Sequence, residues 1–247
     1  MESKKIMNHS KTNTMLRISE HFYSIQGEGI TMGVPSVFIR LQGCNLYCSG
    51  KDWECDTIET WMKGKAYEIE EFAYEFHSLY RNEMRNGAHL IFTGGEPIMQ
   101  QEGIIAFLEY YGNKYDCHPF VEIETNGTQI ISKELLENIN LINCSPKISN
   151  SGQPLKRTIV PEVLKQIDNF GNSIFKFVIA EHEDIDEVNQ IVKDNGLWER
   201  RIVLMPACDN QEQLEANIEM VADMCKDNCY MLSSRLQISI WNKTVGV

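Results

Sequence analysis

The chain has 247 residues, 43% of them hydrophobic, enough for one sizeable core, and a single domain over 15–247 is expected. With 23 Lys+Arg against 35 Asp+Glu, the net charge is −12, which makes the chain a poor candidate for nucleic-acid or anionic-membrane binding through bulk electrostatics. An anionic small molecule would need local basic groups to overcome that field. Residues 1–14 are polar, lack the apolar stretch of a signal peptide, and read as a flexible leader. No apolar run approaches the ~20 residues of a membrane helix. A cytoplasmic location follows as an expectation. There thiols stay reduced, and clustered cysteines bind metal or do redox chemistry more often than they form disulfides.

In chain order, 35–43 is rich in β-branched and aromatic residues and ends at glycine, so it predicts a strand. Apolar spacing over 69–86 predicts a helix. Residues 88–97 predict a strand stopping at a double glycine, 102–113 a helix, 119–127 a strand ending at Asn-Gly, and 139–147 a further strand. Beyond these, 160–171 predicts a helix, 173–180 a strand, 184–196 a helix, 201–207 a strand and 210–228 a helix. Strands alternating with helices imply parallel βαβ units, either an open sheet or a barrel. In both, ligands gather at the carboxyl ends of the strands. Polar signals stand at those predicted ends: Thr93-Gly94-Gly95-Glu96, Glu124-Thr125-Asn126, Ser145-Pro146-Lys147 and Met205-Pro206.

Three of the eight cysteines, Cys44, Cys48 and Cys55, fall on the loop after the first predicted strand. Thiolates are the usual ligands of iron–sulfur clusters. A structural zinc site normally takes four protein ligands, and His21 or another cysteine would have to be recruited. Iron–sulfur, zinc and unliganded thiols all remain open on the residues alone. Cys225 and Cys229, four apart on a predicted helix, read as buried or incidental, and Cys117, Cys144 and Cys208 as packing residues. The glycines of the Thr93–Pro97 motif allow close backbone approach to a ligand, or serve a plain strand-to-helix turn. Arg40 at a strand end suits a carboxylate taken bidentately, or a surface ion pair. Gln26-Gly27-Glu28-Gly29 lacks the Lys-Ser/Thr of a phosphate-binding P-loop. Tyr47 and Trp53 would stack on a flat ring or close the cysteine loop.

The cysteine loop followed by Gly-Gly-Glu-Pro resembles the radical S-adenosylmethionine superfamily. More narrowly, FYSIQGEGITMGVPSVFIRLQGCNLYC, CDT, TGGEP, IETNGT and SPK, in that order, are similar to the 7-carboxy-7-deazaguanine synthase family. The resemblance runs from about Glu20 to Lys147, with weaker echoes at Met205-Pro206 and SSRLQISI. It implies an α/β fold, an incomplete (β/α) barrel. It also implies a [4Fe–4S] cluster on Cys44, Cys48 and Cys55, with the fourth iron left to the amino and carboxylate groups of S-adenosylmethionine. Cleavage of that cofactor gives a 5′-deoxyadenosyl radical.

The same resemblance implies that Gly95 contacts the cofactor's methionine part. Glu124, Thr125, Asn126, Ser145, Pro146, Lys147, Met205 and Pro206 would line the rest of its site. Ile25, Gln26, Gly27, Arg40, Thr93 and the terminal carboxylate of Val247 match substrate positions, and Thr57 matches a magnesium ligand. The implied reaction turns 6-carboxy-5,6,7,8-tetrahydropterin into 7-carboxy-7-deazaguanine with loss of ammonia, toward queuosine and other deazapurines. An electron donor such as flavodoxin or ferredoxin and a homodimer belong to the same expectation. The sequence departs from the family pattern in three places. Six residues instead of two separate Cys48 from Cys55, Glu54 replaces the aromatic before the last cysteine, and no histidine stands near Trp241. A glycyl-radical activase and a zinc- or cluster-stabilised binding protein are the rival readings.

Overall fold

The computed structural model describes residues 14–50, 55 and 58–244. Trp53, Thr57, Val247 and the expected leader except Thr14 lie outside these residues. The chain runs β1 (Met15–Ile25), β2 (Pro35–Leu41), α1 (Ile58–Trp61), β3 (Lys65–Glu68), α2 (Ile69–Arg85), β4 (His89–Gly94) and α3 (Gln101–Tyr115). It continues through β5 (Val121–Thr125), α4 (Lys133–Asn138), β6 (Leu141–Cys144), α5 (Leu155–Thr158), α6 (Pro161–Phe170) and β7 (Ser173–Ile179). It ends with α7 (Asp184–Asn195), β8 (Ile202–Pro206), α8 (Gln211–Asn228), β9 (Met231–Leu232) and α9 (Leu236–Trp241). Among the described residues no helix is long and apolar enough to cross a membrane.

The strands form one sheet in the order β3-β1-β2-β4-β5-β6-β7-β8-β9. From β2 to β9 every pairing is parallel, whereas β1 runs antiparallel to both β2 and β3. The sheet does not close, so the architecture is an incomplete α/β barrel. Alternate strand residues, among them Val37, Ile39 and Leu41 of β2, Leu90 and Phe92 of β4, and Val121 and Ile123 of β5, join one core with Phe72 and Phe76 of α2 and Phe107 and Tyr111 of α3. Fully burying one such side chain stabilises by roughly 1.5–3 kcal/mol, so this face fixes which strand residues turn the other way. Those residues, including Arg40, Thr93, Glu122, Glu124, Asn143 and Lys176, form a polar concave face.

The predicted strands and helices of the repeating part are all present, with ends within a few residues. The structure corrects the reading in two ways. β1, β3, β9, α1, α4, α5 and α9 were not anticipated. Cys229 is not on a helix, because α8 stops at Asn228 and Cys229 is its left-handed cap with φ of 55°.

Candidate active site

The carboxyl ends of β2, β4, β5 and β6 meet at one rim. Gly94 has φ of 108°, and a Cβ on it would lie 2.4 Å from the Leu41 backbone nitrogen. A Cβ on Gly95 would lie 1.7 Å from the Gly43 carbonyl oxygen. Both glycines are therefore required by backbone-to-backbone packing against the start of the cysteine loop. The Gly95 N–H donates to Leu41 O at 3.0 Å and the Glu96 N–H to Gly43 O at 2.8 Å. Glu96 itself is fully buried. Its carboxylate accepts from Thr125 Oγ1 at 2.7 Å, Asn126 N at 2.7 Å and Ile98 N at 3.0 Å, tying the end of β4 to the end of β5.

Cys44, Cys48 and Cys55 are close enough for each of the other two to act electrostatically on Cys44. The Cys55 N–H donates to Cys48 O at 3.0 Å, folding the loop back on itself. Burial pushes the Cys44 and Cys48 thiols up, and at Cys48 the Lys147 ammonium opposes that rise. Asn126 Nδ2 donates to Asn45 Oδ1 at 2.9 Å and lies 3.9 Å from Cys44 Sγ. Asn45 in turn donates to Thr128 Oγ1 at 2.7 Å. Lys147 donates to Ser145 Oγ at 3.1 Å, and the Ser145 N–H to Thr125 O at 2.7 Å. Thus the loop is held by residues following β5 and β6. Among the described residues no three His, Cys, Asp or Glu are close enough to hold a single metal ion. Three thiols on one loop at the rim, with thiolates the usual ligands of such clusters, are the residues that would hold an iron–sulfur cluster. His21 is not recruited here. Its ring bonds Tyr80 at 2.9 Å and Glu75 at 3.2 Å on the α2 side of the sheet.

Below this rim lies the concave face. Thr93 Oγ1 donates to Glu124 Oε2 at 2.6 Å, and Gln26 Nε2 donates to Glu124 Oε1 at 3.0 Å and Glu122 Oε1 at 3.2 Å. Thr31 Oγ1 and Asn143 Nδ2 also donate to Glu122, at 2.7 and 3.3 Å. Burial, followed by repulsion from Glu124, pushes Glu122 up to about 7. Arg40 sits between Thr93 and Glu20 in the sheet register, with Nη1 3.2 Å from Glu20 Oε1 and its guanidinium over the Phe22 ring.

The 26–29 loop enters from the other end of the barrel, because the last residue of antiparallel β1, Ile25, pairs with the first of β2, Pro35. Glu28 on this loop binds Lys176 Nζ at 2.5 Å, Arg235 Nε at 2.9 Å and Gln237 Nε2 at 2.8 Å. Burial alone would push the Glu28 carboxyl up, but the Lys176 and Arg235 cations hold it well below the usual carboxylate range. A Cβ on Gly27 would lie 1.8 Å from Gln237 Oε1, and Gly27 O accepts from Leu236 N at 2.8 Å. The segment after β9 is thereby locked to the 26–29 loop. The buried acceptors Asn143 Oδ1 and Gln237 Oε1 have no hydrogen-bond partner among the described residues, leaving polar capacity for a ligand.

Of the residues singled out by sequence, Gln26, Arg40, Thr93 and Glu124 share the concave face. Gly95, Thr125, Asn126, Ser145 and Lys147 share the rim with the cysteines. Glu124 bonds the expected substrate residues Gln26 and Thr93, whereas Thr125 turns the other way onto Glu96. Ile25 and Gly27 belong to the loop crossing from the opposite end, and Pro146, Met205 and Pro206 stand at the expected strand ends. Glu28, Glu96, Glu122, Lys176, Arg235 and Gln237 were missed. Glu96 and Glu28 were visible beside the glycines that were noticed, but their partners lie far away in sequence.

A family described as "4Fe-4S single cluster domain" matches residues 25–145. A 7-carboxy-7-deazaguanine synthase of Pyrobaculum aerophilum is 30% identical over 237 residues, covering 94% of this chain and 97% of that protein. One from Aquifex aeolicus is 32% identical over 225 residues, covering 89% and 90%. The crystal structure of QueE from Escherichia coli superposes with a TM-score of 0.66 over 92% of this chain and all of that one, at 22% identity, which establishes the likeness of fold.

Proposed function

Since the chain belongs to the 7-carboxy-7-deazaguanine synthase family, we propose that it converts 6-carboxy-5,6,7,8-tetrahydropterin to 7-carboxy-7-deazaguanine with loss of ammonia. The observation that carries this reading is the concave face. It sets a cation, Arg40, and two neighbouring carboxylates, the buried Glu122 and the half-buried Glu124, on one polar face under the cysteine rim. A polypeptide substrate, as for a glycyl-radical activase, gives these inward-facing groups no purpose.

Cys44, Cys48 and Cys55 would hold a [4Fe–4S] cluster, with S-adenosylmethionine against the rim residues Gly95, Asn126, Ser145 and Lys147. When bound, these groups supply one-electron cleavage chemistry. The chain's own residues bind and orient the substrate. Arg40 exchanges its Glu20 partner for the substrate carboxylate, a fork-shaped donor meeting two oxygens. Gln26 and Thr93 hold Glu124 in place as an acceptor for ring N–H groups. Glu122, pushed up to about 7, is poised to hold or release a proton near neutrality. The 26–29 loop, bound to Lys176, Arg235 and Leu236, covers the far end of this face. Magnesium at Thr57, the Val247 carboxylate, a homodimer and a cytoplasmic location complete the proposal.

Anaerobic reconstitution followed by assay with the tetrahydropterin tests it. The expected result is four irons and sulfides per chain and formation of the deazaguanine. One zinc per chain with no turnover would overturn the reading in favour of a binding protein.

A further inference from the structure

The sheet register carries one row of side chains across the concave face. Glu20 of β1 pairs with Arg40 of β2, and Arg40 with Thr93 of β4. Thr93 Oγ1 is committed to Glu124 Oε2 at 2.6 Å, and Gln26 Nε2 takes Glu124 Oε1 at 3.0 Å. Glu20 is thus the carboxylate left to Arg40 in this row. One pleat further along the same face, Phe22 pairs with Phe38, and their rings stack at 5.2 Å and 13°. The Arg40 guanidinium lies 5.2 Å from the centre of the Phe22 ring, so an aromatic platform supports it.

This ion pair differs from the other shielded arginine pairs. Glu28 with Arg235 and Asp168 with Arg201 are also hydrogen-bonded, at 2.9 and 3.1 Å. Glu20 Oε1 lies 3.2 Å from Arg40 Nη1, yet this buried oxygen has no hydrogen-bond partner among the described residues. The attraction is therefore Coulombic, without the alignment that gives a hydrogen bond its strength. A ligand carboxylate that meets the guanidinium fork squarely gains what Glu20 does not. Glu20 also has room to leave. β3 stops pairing with β1 at Ile18, so among the described residues no strand lies outside Glu20. A cleft of about 640 Å³ opens there, lined by Glu20 together with Ser19, Glu59, Thr60, Lys63 and Lys65.

Substrate and product of the proposed reaction both carry a carboxylate, so an Arg40 that only gripped would retain both. We propose that Glu20 is a positioning residue acting through Arg40: a resident counter-carboxylate that holds the guanidinium over Phe22 in the empty site, yields to the substrate carboxylate, and returns to displace that of the product. This inference rests on, and deepens, the substrate reading given above. Glu20 thereby limits how tightly any carboxylated ligand is held. A pterin without the carboxylate leaves the pair in place and does not feel it.

The test uses the reconstituted holoprotein under anaerobic conditions. Binding of 6-carboxy-5,6,7,8-tetrahydropterin, and of the tetrahydropterin lacking the carboxylate, is measured calorimetrically. The proteins are wild type, Glu20→Gln, Glu20→Asp, Arg40→Ala and Glu109→Gln, an exposed site on α3 that makes the same change in net charge. We expect Glu20→Gln to tighten binding of the carboxylated pterin about twofold to fivefold at low ionic strength, the range of a partly exposed ion pair. Glu20→Asp, which keeps the charge, should stay nearer wild type, and added salt should shrink the difference. The pterin without the carboxylate should bind wild type and Glu20→Gln equally, and Glu109→Gln should match wild type with both ligands. In turnover, Glu20→Gln should lower KM without raising kcat, and inhibition by 7-carboxy-7-deazaguanine should strengthen in proportion. Unchanged binding in Glu20→Gln would overturn the proposal. Weaker binding would also overturn it, by making Glu20 a partner of Arg40 within the complex. Equal tightening of the carboxylate-free pterin, or in Glu109→Gln, would overturn it by showing a general field effect. A wild type that binds no carboxylated pterin, or binds it no better than Arg40→Ala, would instead overturn the underlying substrate reading, and Glu20's role with it.

Discussion

Replacing Glu28 by glutamine removes one charge from a buried triad and keeps nearly the same shape. In the folded chain Glu28 is 15% exposed, Lys176 5% and Arg235 16%. Without the carboxylate, Lys176 loses its closest anion, while Arg235 keeps its bond to the Cys208 carbonyl. Breaking a buried pair by neutralising one member costs about 3–5 kcal/mol, mostly through the unpaired charge left behind. For a domain of this size each kcal/mol corresponds to roughly 2–4 °C, so the melting temperature should fall by about 6–20 °C. Lys176→Met leaves Glu28 with Arg235 and should cost less. The Glu28→Gln/Lys176→Met double variant should melt above Glu28→Gln, because one unpaired cation has been removed.

The pH dependence has a definite sign. Glu28 is lowered from an ordinary value near 4.5, so its contribution is complete above that value and is lost as pH falls through the folded one. Burial alone would lower Lys176, but Glu28 raises it, so the lysine's contribution is present through neutral pH and fades only above its ordinary 10.5. Scanning calorimetry at pH 7 and pH 5 should therefore show the same gap between wild type and Glu28→Gln. A gap under 2 °C at both pH values would refute the reasoning that the triad holds the loop.

Cys44→Ala, Cys48→Ala and Cys55→Ala should each abolish the broad visible absorbance of the reconstituted protein, whereas Cys225→Ala and Cys229→Ala should leave it intact. Arg40→Ala should keep that absorbance but weaken tetrahydropterin binding about ten- to hundredfold in equilibrium titration, with Arg40→Lys intermediate, as expected for a lost charged hydrogen bond of roughly 1.5–3 kcal/mol. Glu122, raised from 4.5 to about 7, favours the fold when protonated, so wild-type stability should decline between those pH values; Glu122→Gln should flatten that decline in urea melts.

The parallel part of the sheet was legible because each strand is a short β-branched run closed by glycine, proline or a polar stop. β1 was not, for a physical reason. Its register shifts between Ile18 and Glu20, and Glu20, His21 and Ser24 interrupt the apolar alternation. β3 and β9 are too short, at four and two residues, to show a period. The cysteines and the glycine motif were legible because chemistry restricts which residues can serve there. The burial of Glu28 was not, since Lys176 and Arg235 stand 148 and 207 residues away. Gly95 was noticed for approach to a ligand, but its missing Cβ is first required by Gly43 O.

The inverted first strand explains how one recess receives groups from both ends of the barrel. Parallel strands alone would offer only their carboxyl ends, which carry the cysteine rim, Glu96, Asn126 and Lys147. Because β1 runs the other way, its exit delivers Gln26 and Glu28 to the concave face from beneath. Gln26 then reaches Glu122 and Glu124 on β5, while Glu28 reaches Lys176 on β7 and Arg235 after β9. Among the described residues the edge strands β3 and β9 do not pair, and the bonds from Gly29 N to Ser233 Oγ and from Leu236 N to Gly27 O tie the exit of β1 to the segment around and after β9. The same contacts that hold the sheet's open side therefore fix Gln26 and Glu28 against the concave face. Loosening the Glu28 triad should disturb substrate orientation and fold stability together, while leaving the cysteine rim, fastened through Glu96 and Asn126, in place.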